Sequence, residues 1–382
     1  MRILLLIILV FTFIANIKGQ DTKASDTIAS AAIWKDISAF FLPPTEYKGA
    51  YGAYRYPLKF YDGHAVKTLK DWEKRRNEIF TRWNKMMGAW PPLLKDQQMK
   101  ILDSMRRDGF TQYRVQFYWT PDEQTEGYLL VPDGKGMKPA VITVYYEPET
   151  AIGWGSPDHP NRDFAYQLTK RGFVTLSIGT TKATKEKTFS LYYPNISNAQ
   201  VEPLSMLACA AANAWYVVSK IPQVDSSRIG ILGHSFGGKW AMFASCLFNK
   251  FACAVWSDPG IVFDESRQDI NYWEPWYLGY YPKPWRNRGM ITEQNPAKGL
   301  YPKLVAEGYD LHELHALMAP RPFLVSGGSE DPPKRWIPLN HTIEVNRFLG
   351  YKNRVAMTNR PAHAPTADSN EQAYLFLEYF LK

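Results

Sequence analysis

The sequence predicts an α/β protein whose central sheet is mostly parallel and covered by helices on both faces. Three observations carry that expectation. Short apolar runs recur at residues 140–146 (AVITVYY), 173–178, 224–232, 251–256, 323–325 and 354–357; strands covered on both faces read as continuous apolar stretches rather than as alternation. Helical stretches separate several of them, at 164–171, 204–221 (LSMLACAAANAWYVVSKI) and 239–248, with a last one at 371–381, and strands alternating with helices argue for parallel neighbours. Between one strand and the helix after it stands Gly233-x-Ser235-x-Gly237, a turn so tight that a Cβ at either glycine would clash.

Taken in order, the chain opens on an apolar run at residues 3–14 (ILLLIILVFTFI) behind Arg2. A bilayer-spanning helix needs about 20 such residues. The run therefore reads as a secretory signal ending near Gly19 or Gln20, which predicts export to the periplasm or beyond. No later run is long enough for a membrane helix, so no stable membrane insertion is expected. Residues 21–110 lean helical and aromatic, with residues 69–87 the best amphipathic segment, stopped by Pro91 and Pro92. They are expected to wrap around a main domain spanning residues 111–382. That domain should begin antiparallel, because residues 111–119 alternate and residues 127–131 follow after a turn.

Between residues 260 and 310 the alternation breaks. This insert carries Tyr272, Trp273, Trp276, Tyr277, Tyr280, Tyr281 and Trp285, followed by Arg286 and Arg288, and its prolines forbid a long helix. It reads as an irregular, aromatic-rich lid over the strand ends. Exposed rings there would suit stacking on sugar faces and the arginines would suit carboxylates; alternatively, the rings simply pack the insert onto the domain.

The formal net charge is +8; Arg2 and Lys18 supply two of those charges, leaving +6 beyond the expected signal. Without a long Lys/Arg run or a nucleic-acid motif, an acidic small molecule or polysaccharide suits this surface better than nucleic acid. The three cysteines, Cys209, Cys246 and Cys253, lie in apolar surroundings and are expected to be buried free thiols. Asn195 and Asn340 head glycosylation sequons. No metal-ligand spacing is present, and no cofactor is implied.

A serine hydroxyl attacks only when a neighbouring base takes its proton. On a strand–turn–helix elbow of this kind the chain order is serine, acid, histidine. Four histidines follow Ser235. His312 and His315 fall in a helical stretch and His341 at a helix start, whereas His363 lies in the loop NRPAHAP between the last strand and the last helix. His363 is therefore the predicted base. Two strand ends offer an acid, Asp331 in GGSEDPP and Asp258 in SDPG. The oxyanion donors should be the N–H of Phe236, heading the elbow helix, and that of Glu147, after the strand at 140–146.

On these residues the span from about 111 onward resembles an α/β-hydrolase of the carbohydrate-esterase type. It is most similar to the glucuronoyl esterases of carbohydrate esterase family 15, with acetyl xylan esterases and pectin methylesterases as neighbouring families. The family elbow reads G-C-S-R-x-G-K, and this chain has GHSFGGK at residues 233–239, with Phe236 in place of the arginine. The stretch HALMAPRPFL at 315–324 is similar to the family's A-L-I-A-P-R-P. The resemblance implies that Lys239 and Trp336 contact the sugar; the insert's own composition adds Trp276 and Arg286 as expected contacts. It supports both acids, and Asp331 is preferred because that strand end is the commoner station in the wider fold. The expected function is an exported Ser–His–Asp esterase acting on ester groups of a polysaccharide or oligosaccharide, one that contains uronic acid. A prolyl-oligopeptidase-like or dienelactone-hydrolase-like enzyme and an inactive sugar-binding protein are the alternatives.

Overall fold

The computed structural model describes residues 28–180 and 191–382; the expected export signal at residues 1–20 lies outside them. Nine strands form a single sheet in the order β1-β2-β3-β5-β4-β6-β7-β8-β9. β1 (Lys100–Arg107), β2 (Phe110–Tyr118) and β3 (Gln124–Pro132) run antiparallel, and β3 joins β5 (Val174–Gly179) antiparallel as well. From β5 onward through β4 (Lys138–Tyr145), β6 (Val224–His234), β7 (Ala254–Ser257), β8 (Phe323–Gly327) and β9 (Val355–Asn359) every pairing is parallel.

The apolar runs sort by the two-residue period of a strand. Val141, Leu232, Val255, Leu324 and Ala356 face one side, where they meet Phe164 and Leu168 of the helix Phe164–Lys170 and Phe376 and Leu377 of the helix Ala367–Leu381. Ile142, Ile231, Trp256 and Val325 face the other and pack against the helices Pro203–Val218 and Phe236–Leu247. Both faces are covered, which is why these strands carry no polar alternation. Cys209, Cys246 and Cys253 are free and buried. Among the described residues no helix is long and apolar enough to cross a membrane.

The sheet starts earlier than the sequence suggests, since β1 lies inside the stretch expected to wrap. Its residues are almost all exposed, so it has no apolar face to betray it. Charged residues on an edge strand, here Lys100, Asp103, Arg106 and Arg107, are a common way of ending a sheet. The helix Leu69–Met87 matches the amphipathic segment, opens with a Thr68–Asp71 capping box and buries Trp72, Ile79, Trp83 and Met87. A buried charge cluster clamps it down. Arg75 donates to Glu78 Oε2 at 2.6 Å, to the Pro57 carbonyl at 3.1 Å and to Glu313 Oε1 at 3.4 Å, and both Arg75 and Glu313 are sealed from solvent. Asn340 is likewise occupied: its amide donates to the carbonyls of Tyr47 and Ala50, so of the two sequons only Asn195 stands at the surface.

The elbow depends on close backbone approach. A Cβ on Gly237 would lie 2.0 Å from the Val144 carbonyl oxygen, and one on Gly233 would lie 2.1 Å from that of Gly237. Val144 cannot move without displacing the central strand β4, nor Gly237 without displacing the first turn of the elbow helix. Gly237→Ala should therefore lower the unfolding free energy by about 3 kcal/mol or more, at the top of the range for overpacking, measured by urea denaturation; a loss below about 1 kcal/mol would show that the elbow has slack.

Candidate active site

β6 ends at His234, and the chain turns through Ser235 (φ 57, ψ −116) into the helix Phe236–Leu247. A positive φ at a serine is a strained conformation that persists only when its surroundings impose it. Here the Ser235 N–H donates to the Ser257 carbonyl at 2.8 Å, tying the turn to the end of β7. The turn projects the hydroxyl off the strand ends, where His363 Nε2 lies 2.8 Å from Ser235 Oγ. The other ring nitrogen, Nδ1, is 2.7 Å from Asp258 Oδ2. Because an ionised carboxylate only accepts, Nδ1 carries the proton and Nε2 is left to receive the serine's.

Asp258 also has a positive φ, 50°, which turns its side chain back across the ends of β7 and β8. There it is fully buried and accepts three backbone N–H groups: Gly328 at 2.6 Å, Asp331 at 2.9 Å and Glu330 at 3.3 Å. Gly328 has to be glycine, since a Cβ would sit 2.6 Å from Asp258 Oδ2 and 2.4 Å from the Ala362 carbonyl oxygen.

The preference for Asp331 is corrected by the geometry, which brings Asp258 to the imidazole instead. The Asp331 carboxylate faces the other way, accepting from Gly260 N at 2.8 Å and Ile261 N at 2.7 Å with Arg335 Nε 3.6 Å off. Burial, and then the charge of Asp258, raise its pKa above the usual carboxylate range. The two strand ends thus hold each other: each carboxylate is bound by backbone N–H groups of the loop that carries the other.

The base loop has its own anchor, which the sequence did not reveal. Arg360, 5% exposed, donates to the carbonyls of His363 (2.6 Å), Ala364 (2.8 Å), Ser326 (2.8 Å) and Gly327 (3.2 Å) and to Ser257 Oγ (3.3 Å). Only its position three residues before His363 could have flagged it. His234 was missed too: its ring is 4.8 Å from that of His363, with Nδ1 3.1 Å from Ser257 Oγ. Burial above all, with the Arg360 guanidinium nearby adding to it, pushes its pKa well below the histidine range, so it stays neutral.

A cleft of about 410 Å³ opens in front of Ser235 and His363, lined by Tyr146, Glu147, Phe236, Lys239, Asp269, Asn271, Trp276, Tyr277 and Arg288. Phe236 and Glu147, whose N–H groups were the expected oxyanion donors, therefore both border the serine. Phe236 heads its helix, where N–H groups have no partner within the helix, and its ring stacks on Tyr146 at 4.5 Å. Lys239 Nζ donates to the carbonyls of Pro259 (2.5 Å) and Asp269 (3.2 Å) and lies 4.7 Å from the Tyr272 ring centre. An ammonium has three N–H groups, which leaves one for the cleft. Burial lowers its pKa to about 8, against the opposing pull of Asp331, Glu330, Asp258 and Asp269.

Of the remaining expected contacts, Trp276 lines the cleft and two do not. Trp336 is 4% exposed in the main core. Arg286 is spent within the insert, on Glu274 Oε1 (3.0 Å) and the carbonyls of Met290 (3.0 Å) and Asn295 (2.9 Å). The insert needs those bonds because it has little regular structure to satisfy its own carbonyls. Its neighbour Arg288 is the arginine that reaches the cleft. Tyr272, Trp273 and Tyr277 are buried, so most of the insert's rings hold it to the domain. His341 falls within the helix Trp336–Phe348 rather than at its start.

The model of the prolyl oligopeptidase family matches residues 209–353, less than half of the chain. No curated protein matches in sequence. Among solved structures, a glucuronoyl esterase from Solibacter usitatus superposes with a TM-score of 0.67 at 16% identity, covering 88% of this chain and 100% of its own. A carbohydrate esterase family 15 glucuronoyl esterase from Caldicellulosiruptor kristjansonii gives 0.60 at 20% identity, with 89% and 93% covered. A putative acetyl xylan esterase from Bacteroides fragilis gives 0.54 at 15%, with 87% and 81% covered. The chain has the α/β-hydrolase fold that these structures share.

The two carboxylates make different predictions. Asp258→Asn should slow fluorophosphonate labelling of Ser235 by about four orders of magnitude, the loss seen when a triad acid can no longer fix the imidazole tautomer. Asp331→Asn should slow it less than about tenfold, but cost about 1–3 kcal/mol in urea unfolding, because an amide cannot accept both N–H groups. The reverse ranking of labelling rates would return the acid to residue 331.

Proposed function

We propose that the protein is a serine hydrolase of carbohydrate esters that works through Ser235, His363 and Asp258. The observation that carries this reading is the unbroken hydrogen-bond chain Asp258–His363–Ser235, opening on a cleft that offers cations and a flat ring. The Ser235 oxygen attacks the ester carbonyl and its proton passes to His363 Nε2, while Asp258 stabilises the imidazolium. The oxyanion forms toward the N–H groups of Phe236 and Glu147; losing one such donor typically costs about a hundred- to thousand-fold in rate. His363 returns the proton to the departing alcohol, and water then releases the acid by the same steps.

The ester we favour is one whose acid is a uronic acid. An acetyl group would fill little of the 410 Å³ cleft, whereas a sugar ring could lie against Trp276 and Tyr277 with its hydroxyls on Lys239, Asn271 and Arg288. The apolar run at residues 3–14 supports an exported enzyme. The prolyl oligopeptidase match at residues 209–353 favours a peptidase as the second reading.

Purified protein offered benzyl glucuronate, methyl-esterified pectin, acetylated xylan and a prolyl amide should hydrolyse the uronate esters fastest and leave the amide intact. Amide cleavage with inert esters would establish the peptidase instead. Lys239 adds a pH signature. It is cationic below about pH 8 and loses its proton as the pH rises through that value, so KM for the uronate ester should rise above pH 8. In Lys239→Gln, KM should be higher and should not change over that range; an unaltered pH profile would remove Lys239 from substrate binding.

A further inference from the structure

The rings of Phe236 and Tyr146 are stacked nearly parallel, 6° apart, with their centres at 4.5 Å. Each ring belongs to one side of the expected oxyanion hole. Phe236 carries one donor N–H itself, and Tyr146 precedes Glu147, which carries the other. We propose that this stacked pair sets the gap between the two donors, so that Phe236 and Tyr146 are positioning residues for the oxyanion. The inference rests on the esterase reading above.

The direction of the second donor follows from its own peptide group. The Tyr146 carbonyl accepts from Thr180 N, just past the end of β5, at 2.6 Å. In a planar trans peptide the following N–H points opposite to that carbonyl. β4 lies between β5 and β6, so a carbonyl turned toward β5 directs the Glu147 N–H toward β6 and the elbow. This bond fixes the direction of the donor but not its distance from Phe236.

That distance has a hard limit on one side only. Gly237 abuts the Val144 carbonyl so closely that a Cβ would lie 2.0 Å from its oxygen. Such contact keeps the elbow from moving closer to β4 and does nothing to keep the two from drawing apart. The last pair in the β4–β6 ladder is Val144 with Gly233, so both donors lie beyond the ladder. There the stack draws the two segments together, and offset stacking is a favoured geometry for rings at this separation. Phe236 has a firm seat to stack from: it is 3% exposed, with Trp240 edge-on at 6.2 Å and Tyr277 also at 6.2 Å.

The test measures kcat and KM on the uronate ester that the wild type hydrolyses fastest. In Tyr146→Leu and in Phe236→Leu, kcat and kcat/KM should fall together by about ten- to hundredfold, as expected when a group that acts only in the transition state is misplaced. Tyr146→Phe, which keeps the ring, should recover most of that loss. The double leucine variant should be about as slow as either single one, because a stack is lost once. Tyr146 is half-buried, so its variants carry the test even if Phe236→Leu fails to fold. A higher KM with unchanged kcat would mean that the rings only contact substrate, and would overturn the proposal. So would a Tyr146→Phe variant as slow as Tyr146→Leu, since the hydroxyl would then be the active part, or losses that multiply in the double variant. Any of these leaves the esterase reading standing. If the wild type hydrolyses no ester, that reading itself fails and this inference falls with it.

Discussion

The reciprocal hold between the ends of β7 and β8 is the constraint on which the rest of the site depends. Asp258 is a fully buried carboxylate, and a charge taken out of water costs several kcal/mol unless hydrogen bonds replace its hydration. Three backbone N–H groups from residues 328, 330 and 331 supply them. The Asp331 carboxylate in turn is fastened to the backbone N–H groups of residues 260 and 261. Each carboxylate therefore ties down the loop that carries the other. Arg360 extends the same scaffold to the end of β9, so Ser235, His363 and Asp258 rest on four parallel strand ends.

Much of this was legible in the sequence, for identifiable reasons. The parallel strands and their helices are written as apolar runs because both faces are covered. The elbow is written in glycines because backbone passes within contact distance of each. His363 was found by elimination, since no other histidine after Ser235 falls in a loop following the last strand. The acid was not legible: two loops with the same chemistry end adjacent strands, and which of two carboxylates turns toward a ring is fixed by a positive φ and by distant N–H groups. The edge strand β1 escaped notice because exposure on both faces erases periodicity, and Arg286 was misjudged because a charge near a cleft can be absorbed by neighbouring carbonyls.

The insert shows the same limit. Its aromatic density left a sugar platform and simple packing equally open, and the structure buries four of its rings, two of them at the wall of the cleft. Tyr272 and Trp273 are sealed into the core, while Trp276 and Tyr277 border the cleft with one side and pack with the other. Composition alone cannot make that division, because burial of a ring depends on which neighbours the chain's irregular path brings over it.

The stacking of Phe236 on Tyr146 has a wider consequence. With a ring rather than a cation beside the nucleophile, the polar character of the cleft on that side comes from Lys239, on the inner side of the elbow helix, and from Arg288, carried by the insert. Of these two cations, one is therefore carried by the same helix that follows Ser235 and the other by the irregular insert. An insert of irregular structure tolerates replacement far better than a strand end. In this arrangement Arg288, Trp276 and Asn271 can change with the insert while Ser235, His363 and Asp258 stay on their strand ends, provided residues 260, 261 and 269 keep their backbone contacts to Asp331 and Lys239.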